Sequence, residues 1–150
     1  MLEVGSIWRK WDFHVHTPFS ELNNNFGDSK KEETWDKYVK ELINRAISDS
    51  IAVIFLTDYF MIDGYEKVLS ILNDEERINR IFSEEIRNDA DYKNKIKSLR
   101  FFPNIEFRIN NQVDGSKIQY HVLFSNELEV NFIREHFLKH LYVELGNSKY

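Results

Sequence analysis

The chain has 150 residues, of which 42% are hydrophobic and 15% aromatic, so one globular domain with a substantial core is the expected organisation. It contains no cysteine, which excludes disulfide scaffolds, thiolate zinc sites and cysteine nucleophiles. The formal net charge of −5 argues against tight nucleic-acid binding through clustered basic residues, although it is compatible with a nucleic-acid substrate.

The first predicted element is a strand that ends in two histidines. Residues 8–16 alternate between apolar and polar side chains, which is the pattern of a β-strand. The apolar and the polar set that this alternation places on opposite faces are Trp11, Phe13 and Val15, and Asp12, His14 and His16. Residues 17–29 include Pro18 and three consecutive asparagines, and they predict a long surface loop.

Helices and strands then alternate along the chain. Residues 34–49 carry apolar side chains at helical spacing opposite a charged face, which predicts an amphipathic helix. The apolar run 51–56 predicts a strand covered on both faces, followed by the polar turn Thr57, Asp58, Tyr59. A second helix is expected over 63–72, and the charged segment 75–97 carries one apolar helical stripe.

The C-terminal part predicts a hairpin and a helix. Residues 100–110 and 117–124 alternate again around a turn at Asp114 and Gly115, and 127–145 has apolar residues at helical spacing. No stretch approaches the roughly 20 apolar residues of a membrane-spanning helix, and the N-terminus has no secretion pattern. A cytoplasmic protein without a membrane partner is therefore expected.

Polar side chains on these strands are the candidates for a metal site. The five candidate ligands are His14, His16, Asp58, Glu106 and His121. Two histidines two residues apart on a strand leave the same face, with Cα atoms about 6.5–7 Å apart, and can converge on one ion. Asp58 follows a buried strand, at the edge where α/β folds place their sites; the alternative is a carboxylate that caps the turn. Without cysteine, such a site suits Zn, Mn or Fe.

Other polar residues could serve the site without binding the metal. Arg108 shares a face with Glu106, and its planar guanidinium matches phosphate oxygens; a salt bridge to Glu106 or Asp58 is the alternative. Asp12 is expected to support the site from the His14 face. His136 and His140 are expected to be ordinary surface or packing residues.

Four segments resemble, in order, the motifs of the PHP superfamily, the polymerase and histidinol phosphatase metal-dependent phosphoesterases. The segments are Asp12-Phe13-His14-Val15-His16-Thr17-Pro18-Phe19-Ser20, Phe55-Leu56-Thr57-Asp58, Phe102-Pro103-Asn104-Ile105-Glu106 and Tyr120-His121-Val122-Leu123-Phe124. A narrower resemblance is to the N-terminal PHP domain of TrlF-like proteins, where it is joined to an AAA-type or SMC-like ATPase. The strings that carry it are Trp8-Arg9-Lys10-Trp11-Asp12, Thr57-Asp58-Tyr59-Phe60 with Asp63-Gly64-Tyr65, and Asn104-Ile105-Glu106-Phe107-Arg108.

The resemblance implies a fold and an activity. The implied fold is α/β, a partial distorted (β/α) barrel of PHP type that forms the N-terminal portion of a seven-stranded barrel. Residues 1–150 would be a single PHP-like domain, incomplete at its C-terminus or a fragment of a longer ATPase-linked protein. The implied activity is hydrolysis of a phosphate ester or a nucleic acid with one or two divalent metal ions. The resemblance further implies that Glu106 can bridge two metals and that Asp58 and Arg108 are catalytic residues.

Two departures from the family pattern support an alternative function. PHP enzymes usually have histidine directly after the aspartate of the second motif, where this chain has Tyr59, and a phenol is a poorer ligand than an imidazole. The family's last ligands also have no counterpart here. The alternative is a catalytically degenerate module with a regulatory or assembly role for a linked or associated ATPase.

Overall fold

The computed structural model describes residues 8–20, 25–113, 116–141, 144–145 and 148–149. The predicted turn at Asp114 and Gly115 lies outside the described residues. The helices and strands in chain order are β1 (Lys10–His16), α1 (Glu32–Ser48), β2 (Ile51–Tyr59), α2 (Asp63–Leu72), α3 (Glu75–Ile81), α4 (Ser83–Asn88), α5 (Tyr92–Ser98), β3 (Arg100–Val113), β4 (Ser116–Leu123), α6 (Val130–His136), β5 (Glu144–Leu145) and β6 (Ser148–Lys149). The expected α/β class is confirmed.

Four strands form one curled sheet in the order β1-β2-β3-β4. β1, β2 and β3 are parallel, and β4 returns antiparallel to β3, which confirms the predicted hairpin. β5 and β6 pair only with each other. The main sheet is a half-barrel, which is compatible with the predicted partial barrel.

The helices pack on one side of the sheet, here called the helix face. α1 buries the apolar stripe that its spacing predicts, including Trp35, Val39 and Ile43. These side chains meet Ile54 and Ile105 from β2 and β3 in one core cluster. Among the described residues, no helix is long and apolar enough to cross a membrane.

The other side of the sheet, here called the open face, carries a row of aromatic rings. Phe13 stacks on Phe55 with ring centroids 4.8 Å apart, and Phe55 stacks on Phe102 at 5.0 Å. Trp11 adjoins Phe13 at 5.7 Å. Because Trp11 and Phe13 are 54% and 52% exposed, this row is only partly covered within the described residues.

A β-bulge changes the predicted alternation of β1. Asp12 pairs with Ile54 and Val15 with Leu56, so β1 has one residue more than β2 between these pairs. Phe13 and His14 therefore both leave the ladder, and the His14 backbone N–H donates to Asp12 Oδ1 at 3.2 Å. Asp12 lines the helix face together with Val15, so the prediction that Asp12 shares the His14 face is wrong. Val15 packs on the helix face and Phe13 lies on the open face, so the prediction that these two residues share a face is also wrong.

β2 is longer than predicted. Thr57, Asp58 and Tyr59 were expected to form a turn, but they continue the strand opposite Asn104–Glu106 of β3. Pairing with β3 satisfies their backbone groups, and this outweighs the polar character of their side chains.

Two predicted helices are shorter than their periodicity suggests. The stripe over 75–97 is divided among α3, α4 and α5, which are interrupted at Phe82 and before Tyr92. The helix expected over 127–145 is wrong beyond His136, because Phe137 leaves helical geometry with φ −123° and ψ −62°. A 3-10 turn, Leu138–His140, follows.

Candidate metal centre

Four of the predicted ligands converge on the open face beside the end of β1. His14 Nε2 lies 2.9 Å from His16 Nε2 and 3.2 Å from Glu106 Oε2. His16 Nε2 is 3.6 Å from the same carboxylate oxygen. His121 faces Glu106 across β3 and β4, and it joins His14 and Glu106 in a group whose candidate ligand atoms all lie within 4.8 Å of one another.

The spacing of these atoms suits a divalent cation. Two ligands bound at about 2.0–2.1 Å with tetrahedral angles lie roughly 3.3 Å from each other. The separations of 2.9, 3.2 and 3.6 Å among His14, His16 and Glu106 bracket that value. The cluster therefore needs only a small adjustment to close around one ion.

The Glu106 carboxylate gives an independent indication of a cation. Glu106 is fully buried, and neither carboxylate oxygen has a hydrogen-bond partner among the described residues. A buried carboxylate without donors is costly unless a neighbouring positive charge balances it. Arg108 Nε lies 3.7 Å from Oε1 on a side chain that is 40% exposed, so it balances this charge only in part. A metal ion coordinated here would supply the rest, so the residues present fit the group.

The protonation of the imidazoles also favours ligation. Burial, followed by the neighbouring His14, lowers the pKa of both His16 and His121, although Glu106 acts in the opposite direction. Neutral imidazole is the form that binds a metal. These two rings are therefore available as ligands at neutral pH.

Two buried polar side chains contact the Nδ1 atoms of the His16 and His121 rings. Ser20 Oγ lies 2.7 Å from His16 Nδ1, and Asn104 Oδ1 lies 3.2 Å from His121 Nδ1. Ser20 and Asn104 are 1% and 3% exposed. Partners of this kind orient metal-binding histidines and fix which nitrogen carries the proton.

Arg108 and Tyr59 form the rim of the cluster. Arg108 Nε is 3.7 Å from Glu106 Oε1, and its guanidinium lies 4.9 Å from the centre of the Tyr59 ring. Arg108 also donates to the Tyr59 hydroxyl at 3.0 Å. Tyr59 in turn stacks on His16, with centroids 5.0 Å apart. The salt-bridge alternative for Arg108 is thus present, and its side chain is still 40% exposed.

Asp58 belongs to a different contact group from the four convergent residues. Its carboxylate accepts hydrogen bonds from the Thr17 backbone N–H at 3.3 Å and from Thr17 Oγ1 at 2.8 and 2.9 Å. The backbone N–H of Gly64, in the first turn of α2, also donates to it. Asp58 therefore ties the residue that follows His16 to α2. This is close to the predicted alternative, in which the carboxylate holds the chain after a strand.

The buried position of Asp58 leads to a prediction about pH. Burial raises the pKa of Asp58 from its ordinary 3.8 to about 7, against the hydrogen bonds from Thr17, which lower it. The folded state therefore binds this proton more tightly than the unfolded state. The resulting stabilisation is fully present below pH 3.8 and is lost as the pH rises to about 7.

We expect the wild type to lose stability relative to Asp58→Asn as the pH rises from about 4 to about 7, and the difference to level off at higher pH. Urea unfolding of both proteins across this pH range measures the difference between their free energies of unfolding. The histidines are common to both proteins, so their titration cancels in the difference. A difference that does not vary with pH would contradict the assignment.

Several residues that complete this site could not be assigned a role from the sequence alone. Asn104 and Ser20 appear within motif strings, but a single polar residue in a string does not reveal which ring it contacts. Thr17 is likewise recognisable only once Asp58 is seen beside it. Of the remaining histidines, His136 packs against Phe132 with ring centroids 4.3 Å apart, away from the cluster residues.

No protein-family model and no curated protein sequence matches this chain. His14, Glu106 and His121 form a group that could hold a metal ion, and His16 adjoins it. Imidazole and carboxylate donors suit Zn, Mn or Fe.

Proposed function

We propose that this chain carries the N-terminal portion of a PHP-type metal-dependent phosphoesterase domain. The observation that carries the proposal is the Glu106 carboxylate, which is buried without a hydrogen-bond donor and adjoins His14 and His16. His14, His16, Glu106 and His121 would hold one or two divalent ions. The order of the motif-like segments along the chain adds support, because the four ligands come from the first, third and fourth of them and Asp58 comes from the second.

The substrate class we propose is a phosphate monoester or a nucleic-acid phosphodiester. A divalent cation held by these residues supplies Lewis-acid stabilisation of phosphoryl oxygens and lowers the pKa of water. Arg108 supplies the protein's own positive charge at the rim. Its Nη2 group donates to Tyr59 and its Nε faces Glu106 Oε1 at 3.7 Å, so Nη1 is the group we propose to meet a substrate oxyanion.

Asp58 contributes indirectly in this proposal. Thr17 accepts a hydrogen bond from the Ser20 backbone N–H at its carbonyl, 3.0 Å away, while its side chain is held by Asp58. Ser20 Oγ contacts His16 Nδ1. Asp58 thus acts as a positioning residue for the turn that supports His16.

One observation favours the alternative function, a degenerate module associated with or linked to an ATPase. Tyr59 fills the space between His16 and Arg108 by stacking on the first and bonding to the second. A ring packed in this way leaves little room for a further metal ligand. A chain that binds metal but hydrolyses no phosphate ester would favour this alternative.

The test is metal-dependent hydrolysis of a model phosphomonoester and a model phosphodiester by the purified chain with Mn²⁺ or Zn²⁺. We expect slow turnover, because the His14 side chain is 44% exposed and gives water access to one side of the cluster, and we expect His14→Ala with His16→Ala to abolish it. His136→Ala is the matched control, since it removes an imidazole outside the cluster. Hydrolysis that survives the double substitution would locate the chemistry elsewhere.

Arg108 should affect substrate binding more than metal binding. We expect Arg108→Met to raise KM about tenfold or more while metal affinity changes little, because a charge-assisted contact to an oxyanion is lost. Arg108→Lys should recover part of the effect, since it restores the charge without the planar fork. Steady-state kinetics at saturating metal measures KM in both variants. An unchanged KM in Arg108→Met would contradict the oxyanion role.

A further inference from the structure

We propose that Asn104 is a positioning residue that holds the neutral His121 ring in the form with its proton on Nδ1 and its lone pair on Nε2. The proposal concerns the metal-free protein. Its consequence for metal affinity rests on the proposed function above.

The orientation of the Asn104 amide is determined by its partners. Asn104 Nδ2 lies 2.9 Å from the Phe13 carbonyl oxygen and 2.9 Å from Thr57 Oγ1. An amide nitrogen and oxygen have nearly the same shape, so only the hydrogen-bonding network distinguishes them. A backbone carbonyl can only accept, so the atom that faces Phe13 must be the nitrogen. The oxygen of Asn104 is therefore the atom that faces His121.

The same reasoning fixes the proton on the ring. Asn104 Oδ1 can only accept, and it lies 3.2 Å from His121 Nδ1. His121 Nδ1 must therefore carry the proton that is donated. A neutral imidazole has one ring proton, so Nε2 is left with a free lone pair, which is the state a metal ligand requires.

The bulge in β1 is the origin of this arrangement. It removes Phe13 from register with β2, and the Phe13 carbonyl accepts from the Asn104 amide on β3. The same amide contacts Thr57 on β2 and His121 on β4, so one side chain connects all four strands of the sheet. Asn104 is 3% exposed, and turning its amide would take the donor away from the Phe13 carbonyl and place the amide oxygen against it.

The preference of His121 for the Nδ1–H form is opposite to the intrinsic preference of a histidine side chain. A neutral histidine in water favours the proton on Nε2, which would block that nitrogen as a ligand. We expect the Nδ1–H form of His121 to exceed the Nε2–H form by about tenfold or more, because the alternative places two acceptors face to face at the cost of a buried hydrogen bond. In Asn104→Leu the acceptor is removed and the Nε2–H form should become the major one.

The experiment is long-range ¹⁵N–¹H correlation NMR of the histidine rings in the metal-free 150-residue chain. The two nitrogens are distinguished because Nε2 couples to both carbon-bound ring protons, whereas Nδ1 couples strongly to one. The measurement is made near pH 8, where His121 is neutral because burial and His14 lower its pKa. Asn44→Leu is the control, since it removes a part-buried amide that bonds to Glu85 and Tyr92.

A protonated Nδ1 in the wild type and in Asn44→Leu, with reversal in Asn104→Leu, is the expected result. A protonated Nε2 in the wild type overturns the proposal, even if Asn104→Leu does not fold. An unchanged Nδ1–H form in folded Asn104→Leu also overturns it, because another group would then be responsible.

A separate titration connects this role to the proposed function. Asn104→Leu should bind Mn²⁺ or Zn²⁺ about tenfold to 100-fold more weakly than the wild type, as is typical when the partner of a metal-bound histidine is lost. If the wild type has the Nδ1–H form but binds no metal, the positioning role of Asn104 stands and the proposed function fails. The two failures are therefore distinguishable.

Discussion

Replacing Glu106 with glutamine is expected to abolish the thermal stabilisation that a divalent cation gives this protein, while the metal-free protein stays at least as stable as the wild type. Glu106 is fully buried and has no hydrogen-bond donor among the described residues. Arg108 Nε, 3.7 Å from Oε1 on a partly exposed side chain, balances its charge only in part, so the carboxylate is costly without a metal ion. Glutamine has nearly the same shape and no charge. The same substitution therefore removes both the binding energy for a metal and the penalty of the metal-free state.

The size of the effect follows from mass action. A ligand that binds only the folded state at 100 times its dissociation constant stabilises that state by about 2.7 kcal/mol. For a chain of this length, that corresponds to a rise in Tm of about 5–10 °C. We expect this rise in the wild type with Mn²⁺ or Zn²⁺ and its absence in Glu106→Gln. Differential scanning calorimetry with and without the metal measures the change in Tm in both proteins.

Glu85→Gln provides a matched control for this experiment. Glu85 also has a buried carboxylate oxygen without a hydrogen-bond partner, but its other contacts are Lys40 and Asn44 on α1. The metal-induced rise in Tm should persist in this variant. An equal rise in Glu106→Gln and in the wild type would show that the cation binds elsewhere.

Gly64→Ala is expected to destabilise the fold by about 3 kcal/mol or more, which is at the upper end for overpacking. A Cβ atom at Gly64 would lie 2.1 Å from Asp58 Oδ2 and 2.1 Å from Thr17 Oγ1. Both atoms are buried, and Thr17 Oγ1 already donates a hydrogen bond to Asp58 Oδ2. Neither atom can therefore move aside without breaking this hydrogen bond. At an ordinary helical position, the same change would stabilise the protein instead.

Gly27→Ala is the comparison for this substitution. Gly27 has φ +103°, but a Cβ there would meet only Thr34 Oγ1 at 3.8 Å, so the cost is backbone strain of about 1–2 kcal/mol. Urea unfolding of both variants should show the larger loss for Gly64→Ala. If Gly64→Ala matches the wild type, then α2 does not approach Asp58 as closely as described.

Much of the fold and of the cluster could be predicted from the sequence. The alternation over 100–110 and 117–124 places Glu106 and His121 on one face of a hairpin, and these residues do pair across β3 and β4. The spacing of His14 and His16 predicts that their rings meet, and their Nε2 atoms are 2.9 Å apart. These features depend on local periodicity, which a single sequence contains.

What could not be predicted depends on contacts between strands. Because of the bulge at Phe13 and His14, Asp12 lies on the opposite side of the sheet from His14, and not on the same side as the alternation predicts. A register shift of this kind cannot be recognised in the pattern of apolar residues. The extension of β2 through Tyr59 depends on the presence of β3 beside it. The contact of Asn104 with His121 joins a residue to another that is 17 positions away, and no spacing rule indicates it.

Anomalous diffraction from crystals grown with Mn²⁺ or Zn²⁺ tests the metal centre most directly. The predicted result is a peak about 2.0–2.2 Å from His14 Nε2, from His16 Nε2 and from a Glu106 carboxylate oxygen, with a ring nitrogen of His121 on the same ion or on a second one beside it. Crystals that contain the metal but show no anomalous peak within bonding distance of Glu106 and either His14 or His16 would contradict the account.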